Sequence, residues 1–314
     1  MACWRTGFHA FSRAFDDGRS MTDWQVATQA FDLGSVRMEI ASNAGPRITA
    51  YTKSGGQSFF ASLGDAGIDG FAGRFYRFVG GHRLWRAPEV PAVTYQPDDS
   101  DVQIVENSTG IDVAGYPDPD GVTKHFSIAQ DRQYTIVEHR LVNNGPATVS
   151  TAPWAITQLP PGGTAVLPSL AEPVDQAGLL PNRTLVVWPY TDLGAPEITF
   201  GIDAITVEGT ERRSKMKIGQ ANRRGWMAYV MNDQAFVKWS SVHDDSAVYP
   251  DLGASNQCYR DERFLELETL GPVAELAPGN ATTLTEVWTI VDIEDETAHN
   301  ALARLPRQPE GIEL

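Results

Sequence analysis

The sequence is poor in cysteine, in basic charge and in long apolar or helical stretches, and each shortage removes a class of protein. Only two cysteines occur, Cys3 and Cys258. Cys3 falls in the N-terminal extension, so no disulfide framework can be argued. No Cys and His residues cluster at metal-ligand spacing, and neither a metal nor another cofactor is expected. No apolar run reaches the ~18 residues that a membrane helix needs. Residues 1–20 have no uninterrupted hydrophobic stretch of the secretory-signal kind. Arg5, Arg13 and Arg19 give that stretch a faint organelle-targeting character, which Asp16 and Asp17 oppose. The expectation is a loose extension over residues 1–20, then one folded domain over residues 21–314, in the cytoplasm. Lys and Arg number 25 against 40 Asp and Glu, a net charge of −15. Such a chain repels phosphate backbones and anionic lipid, so nucleic acid and membrane are not expected partners. No Gly-x-Gly-x-x-Gly follows a strand and no Walker-type loop is present, which leaves nucleotide chemistry unsupported. The sequence sets no oligomeric state.

What is present is a series of short strand-like runs separated by Gly, Pro, Asn and Asp. Residues 36–40, 47–51, 101–105, 124–128 and 132–142 read this way, as do 184–188, 226–231, 235–239, 263–270 and 284–293. Asn143-Asn-Gly-Pro and Pro160-Pro-Gly-Gly have the chemistry of turns between strands. One late helix is expected, over residues 295–305. Roughly twenty strands without intervening helices point to an all-β fold, a large sandwich rather than a small barrel. A hydrophobic fraction of 42% is enough to fill such a core without a staple.

The most informative run is Phe264-Leu-Glu-Leu-Glu-Thr-Leu-Gly-Pro. Side chains alternate along a strand, so Leu265 and Leu267 share one face and Glu266 and Glu268 the other. Residues two apart on one face lie about 7 Å from each other. On a buried face, two such acids raise each other's pKa and can supply a general base or accept hydrogen bonds from hydroxyls. On an exposed face they are merely solvated.

Leu267-Glu-Thr-Leu-Gly-Pro, the Leu276-Ala-Pro-Gly turn and the following strand through Trp288 resemble the C-terminal end of aldose 1-epimerases and other galactose-mutarotase-like proteins. A second set of blocks resembles an uncharacterised branch of that superfamily (DUF4380). These are Gly80-Gly-His-Arg-Leu-Trp-Arg-Ala-Pro-Glu, Trp188-Pro-Tyr-Thr-Asp, Lys215-Met-Lys-Ile-Gly and Tyr249-Pro-Asp-Leu-Gly. The resemblance implies a galactose-mutarotase-like β-supersandwich with a sugar site on its concave sheet. It implies Glu268 as the base that takes the anomeric hydroxyl proton. The family keeps its acid, a His, in a strand after an Asn-rich turn. Here that turn leads to Trp154-Ala-Ile-Thr-Gln-Leu, where Thr157 and Gln158 are the nearest polar groups. His82 is therefore the expected acid, placed by glycines that let a ligand approach the backbone. Arg83, Trp85, Glu89, Trp188, Asp251 and Glu266 are expected to line the substrate site, with Trp85 and Trp188 as stacking platforms. Lys215, Lys217 and Arg224 concentrate positive charge that an acidic sugar could use. His139 reads as a satisfied core histidine. The partner expected is a small sugar or oligosaccharide. Three functions stay open: a mutarotase or epimerase acting on an aldose or acidic sugar, a non-catalytic sugar-binding module, and a uronate-directed lyase.

Overall fold

The computed structural model describes residues 24–53, 55–70, 73–211, 214–293, 302 and 305–314. The expected extension over 1–20 lies outside the described residues, as does the expected helix over 295–305 apart from Leu302 and Leu305. Two ten-stranded sheets and one hairpin carry the described chain.

The first sheet runs, in spatial order, β1 (Thr28–Asp32), β2 (Val36–Ala41), β3 (Arg47–Lys53), β6 (His82–Ala87), β11 (Val149–Leu159), β20 (Leu265–Leu270), β19 (Asn256–Arg260), β16 (Met216–Gln220) and β13 (Val186–Val187). Its tenth strand, β21 (Ala274–Leu276), pairs with the start of β11. The second sheet runs β14 (Ile198–Phe200), β15 (Ala204–Glu208), β12 (Thr164–Pro168), β17 (Trp226–Met231), β18 (Gln234–Ser240), β22 (Ala281–Asp292), β10 (Tyr134–Asn143), β9 (Val122–Asp131), β8 (Gly110–Ala114) and β7 (Gln103–Asn107). Neighbouring strands are antiparallel throughout, as alternating patterns joined by short Gly and Asn turns require. The hairpin is β4 (Ser62–Asp69) with β5 (Phe75–Gly80). Among the described residues, two short helical turns lie between strands, α1 (Pro91–Thr94) and α2 (Pro250–Gly253).

The main core lies between the sheets. Leu84, Leu159, Ile218, Leu265 and Leu267 of the first sheet meet Phe126, Leu141, Phe236 and Trp288 of the second. Two further apolar layers cover the outer faces. Behind the second sheet, Trp226, Val237 and Trp239 are covered by Leu302, Leu305, Ile312 and Leu314. On the outer face of the first sheet, Trp85, Trp154, Ile156 and Leu270 pack with Tyr76 and Phe78 of the hairpin. That hairpin closes one end of a face that would otherwise be open.

Gly80 and Gly81 join the hairpin to β6, at φ 100° and 74°. A Cβ on Gly80 would stand 2.0 Å from the Ala61 carbonyl oxygen, and one on Gly81 2.1 Å from that of Ile48. The glycine pair therefore serves close packing of the chain on itself. This corrects the expectation that it admits a ligand.

Candidate functional site

Strand β20 places Leu265 and Leu267 in the inter-sheet core and turns Glu266 and Glu268 to the outer face. Both carboxylates are nonetheless covered, at 7% and 0% exposure, so the solvated reading of this face does not hold. Their surroundings follow from register. On one side β11 sets Gln158 opposite Glu266 and Ile156 opposite Glu268. On the other, β19 sets Tyr259 and Gln257 opposite the same two acids. One strand further out, β6 contributes Arg83 and Trp85, and β16 contributes Lys217.

Each acid is held by one oxygen. Glu268 Oε2 accepts the indole N–H of Trp154 at 2.7 Å and the ammonium of Lys217 at 2.8 Å. Its Oε1 is buried and has no protein partner. Glu266 Oε1 accepts from Arg83 Nη2 at 3.0 Å and from Gln158 Nε2 at 2.9 Å. Burial pushes the Glu266 carboxyl up to about 7; the Glu268 charge adds to this, against Arg83 and Lys217. Aromatic rings hold the two cations in place. Arg83 lies over the Trp85 ring at 4.1 Å, and Lys217 stands 4.7 Å from the Trp154 ring and 4.8 Å from that of Trp188.

Several buried polar atoms on this face lack a protein partner: Glu268 Oε1, Gln158 Oε1, Gln257 Oε1, and Nε and Nη1 of Arg83. Their orientation is fixed by what their neighbouring atoms do. Gln257 Nε2 donates to Asp251 Oδ2 at 2.7 Å and to the Ala254 carbonyl at 3.2 Å, which leaves Oε1 as an acceptor. Asp251 and the next residue, Leu252, hold φ of 52° and 58°, a conformation costly for side chains with a Cβ. An unmade buried hydrogen bond costs about 1–3 kcal/mol. Five such atoms on one face fit a ligand rich in hydroxyl donors and acceptors.

Most of the residues named from the sequence meet here. Glu266, Glu268, Arg83 and Trp85 share the face, and Trp188 borders it against Lys217. Trp85 is buried among Tyr76, Tyr95 and Trp154, so it forms the floor under Arg83 rather than an open stacking platform. Glu89 is exposed at the rim and accepts the Tyr95 hydroxyl. Burial raises the Tyr190 hydroxyl, and Glu268, Glu89, Glu266 and Asp251 raise it further. Gln257 and Tyr190 were not singled out from the sequence as site residues, and Lys217 only as one of three basic residues that an acidic sugar could use. Lys217 carried only the signal of a basic residue in an acidic chain.

His82 does not meet Glu268. Successive residues of β6 point to opposite faces, so Arg83 turns outward and His82 enters the inter-sheet core. There His82 Nε2 and His139 Nε2 are 2.7 Å apart, and His139 Nδ1 is 2.9 Å from the Leu284 carbonyl. A carbonyl only accepts, so His139 carries its proton on Nδ1 and His82 donates from Nε2. His82 Nδ1 then accepts from the Thr157 hydroxyl at 2.9 Å. Burial lowers the pKa of both imidazoles and keeps them neutral. Lys238 completes the network. Its Nζ donates to Glu286 at 2.8 Å, to the Leu267 carbonyl at 3.0 Å and to Thr157 at 3.4 Å. Three acceptors around Nζ suit an ammonium. His82, His139 and Glu286 lie close enough to suggest a metal site. Glu286, however, already takes Lys238 on one oxygen and the Trp288 N–H on the other. The cation of this cluster is the lysine. Among the described residues, no imidazole is hydrogen-bonded to the side chain of Glu266 or Glu268.

No protein-family model matches the sequence, and no curated protein matches it. Solved structures do match the fold. A putative aldose 1-epimerase from Escherichia coli K12 superposes with a TM-score of 0.52 at 12% identity, over 85% of this chain and 100% of that one. A galactose mutarotase-like protein from Lactobacillus casei gives 0.56 at 9% identity, over 84% and 100%. The Slr1438 protein from Synechocystis gives 0.53 at 11%, over 90% and 100%. The galactose-mutarotase-like β-sandwich is thereby established as the fold. At such identities the likeness reaches no further than the fold, and the narrower branch rests on its motifs alone.

Proposed function

We propose that the outer face of the first sheet binds a sugar and that Glu268 acts on its hemiacetal as a base, in the manner of a mutarotase. The observation that carries this reading is the state of Glu268. One carboxylate oxygen is fixed by Trp154 and Lys217, while the other is buried without a partner. The Lys217 ammonium stands 2.8 Å from the fixed oxygen, and a base needs its second oxygen free for the proton it takes. Two fold neighbours, a putative aldose 1-epimerase and a galactose mutarotase-like protein, agree with it.

Charge selects among sugars. Lys217 is matched by Glu268, and Glu89 and Asp251 outnumber Arg83 whether or not Glu266 carries its proton, so the face is negative. A neutral aldose fits this face, and a uronate is repelled by it. Among the described residues no imidazole is hydrogen-bonded to either acid, which favours a second reading, a module that binds sugar without turnover. Exchange spectroscopy of α and β anomers separates the two. Accelerated exchange that Glu268→Gln abolishes supports the enzyme; sugar binding with no acceleration supports the module.

A further inference from the structure

The mutarotase reading leaves one role open: protonation of the ring oxygen. On the strength of that reading, we infer that Glu266 is the proton donor, so that one strand carries both the base and the acid of the reaction.

Glu266 and Glu268 lie two residues apart on one face of β20, about 7 Å along the strand. The anomeric hydroxyl and the ring oxygen are bonded to the same carbon, so two acids that flank that carbon from one face reach both. The recorded side-chain partners of Glu266 all use Oε1, just as those of Glu268 all use Oε2. The charged and titratable groups facing Glu266 are Arg83 from β6, Tyr259 from β19, Lys217 from β16, Glu268 on its own strand, and Tyr95 and Tyr190 from loops. Burial and the Glu268 charge together hold its carboxyl up to about 7, within reach of a neutral acid form. Arg83 and Gln158 stand ready for the charge that appears on Glu266 when its proton leaves, which is where fixed donors help most.

The step balances. Glu268 takes the proton of the anomeric hydroxyl, the C1–O bond to the ring oxygen breaks, and C1 becomes the aldehyde carbon. Glu266 gives its proton to the departing ring oxygen. Rotation about C1–C2 and the reverse transfers close the other anomer and restore both acids.

The test is the pH profile of anomer exchange. Wild type should lose activity as pH rises through about 7, because the proton on Glu266 is lost there. Glu266→Gln is isosteric and should lower kcat by about 10²–10⁴-fold, leave sugar affinity within a few-fold, and remove that alkaline limb. A merely structural Glu266 would leave the limb in place. Arg83→Met gives a second readout that needs no change at Glu266: the limb should move to higher pH. An unchanged limb in either variant overturns the inference, as does near-wild-type kcat in Glu266→Gln. Loss of exchange in Glu268→Gln alone, with Glu266→Gln active, sinks this inference and spares the reading beneath it. No exchange in wild type sinks both.

Discussion

At the scale of the residue, the site is a set of charged and titratable side chains paired on a buried face. Lys217 is the member whose loss should tell most. Its Nζ lies 2.8 Å from Glu268, with side-chain exposures of 6% and 0%. Removing one partner of a buried pair strands the other charge and typically costs about 3–5 kcal/mol. Lys217→Met should show that loss in urea unfolding, and adding Glu268→Gln should recover much of it. If the double variant is no more stable than Lys217→Met alone, the pair is not coupled as described. This residue also marks the limit of the sequence. Glu266 and Glu268 were legible because they alternate with two leucines. The partner of Glu268 was not, since Lys217 lies 51 residues away and two strands over. Only the order β20, β19, β16 brings them together.

At the scale of the element, β6 explains why one expected site residue fell on the wrong side. His82, Arg83, Leu84 and Trp85 are all buried, because the strand has the second sheet behind it and the hairpin layer in front. A strand buried on both faces has no polar side to reveal which residue turns where. The same holds for β11 and β16, which are buried along most or all of their length. What β6 supplies instead is a bolt between the sheets: His82 bonded to His139 of β10, beside the Lys238 and Glu286 pair of β18 and β22. Its pH response follows. Both imidazoles have folded pKa values below the usual 6.5, so below that pH the unfolded chain binds more protons than the folded one. Stability is full above the unfolded value and falls with pH beneath it, by up to about 1.4 kcal/mol per pH unit for each imidazole. Glu266 works the other way, since its raised folded value gains stability as pH falls from about 7 toward 4.5. Two imidazoles act in the one direction and one carboxyl in the other, and the pKa of His82 lies well below 6.5. Tm should therefore drop between pH 6.5 and 5, and His82→Gln should shallow that slope. Equal slopes in wild type and variant would contradict the neutral pair.

At the scale of the whole molecule, the strand count and the short turns were enough for an all-β sandwich, and the motif resemblance for its kind. They could not say how two sheets and a hairpin divide the buried polar residues into a bolt and a site, because that division depends on which face of each strand looks outward. The net charge of −15 and the two unmatched acids at the rim act together on ligand choice. Neutral aldoses should bind more tightly than the corresponding uronates in calorimetric titration, and salt should narrow the gap by screening. Tighter binding of uronates would reverse the sign assigned to the face. The central claim is that Glu268 acts on a sugar hemiacetal. Its most direct test is exchange spectroscopy of the α and β anomers of a panel of neutral aldoses, with wild type and Glu268→Gln side by side. The account predicts faster exchange of at least one aldose with wild type and the uncatalysed rate with the variant. Exchange at the uncatalysed rate for every aldose with wild type, or undiminished acceleration by Glu268→Gln, would contradict it.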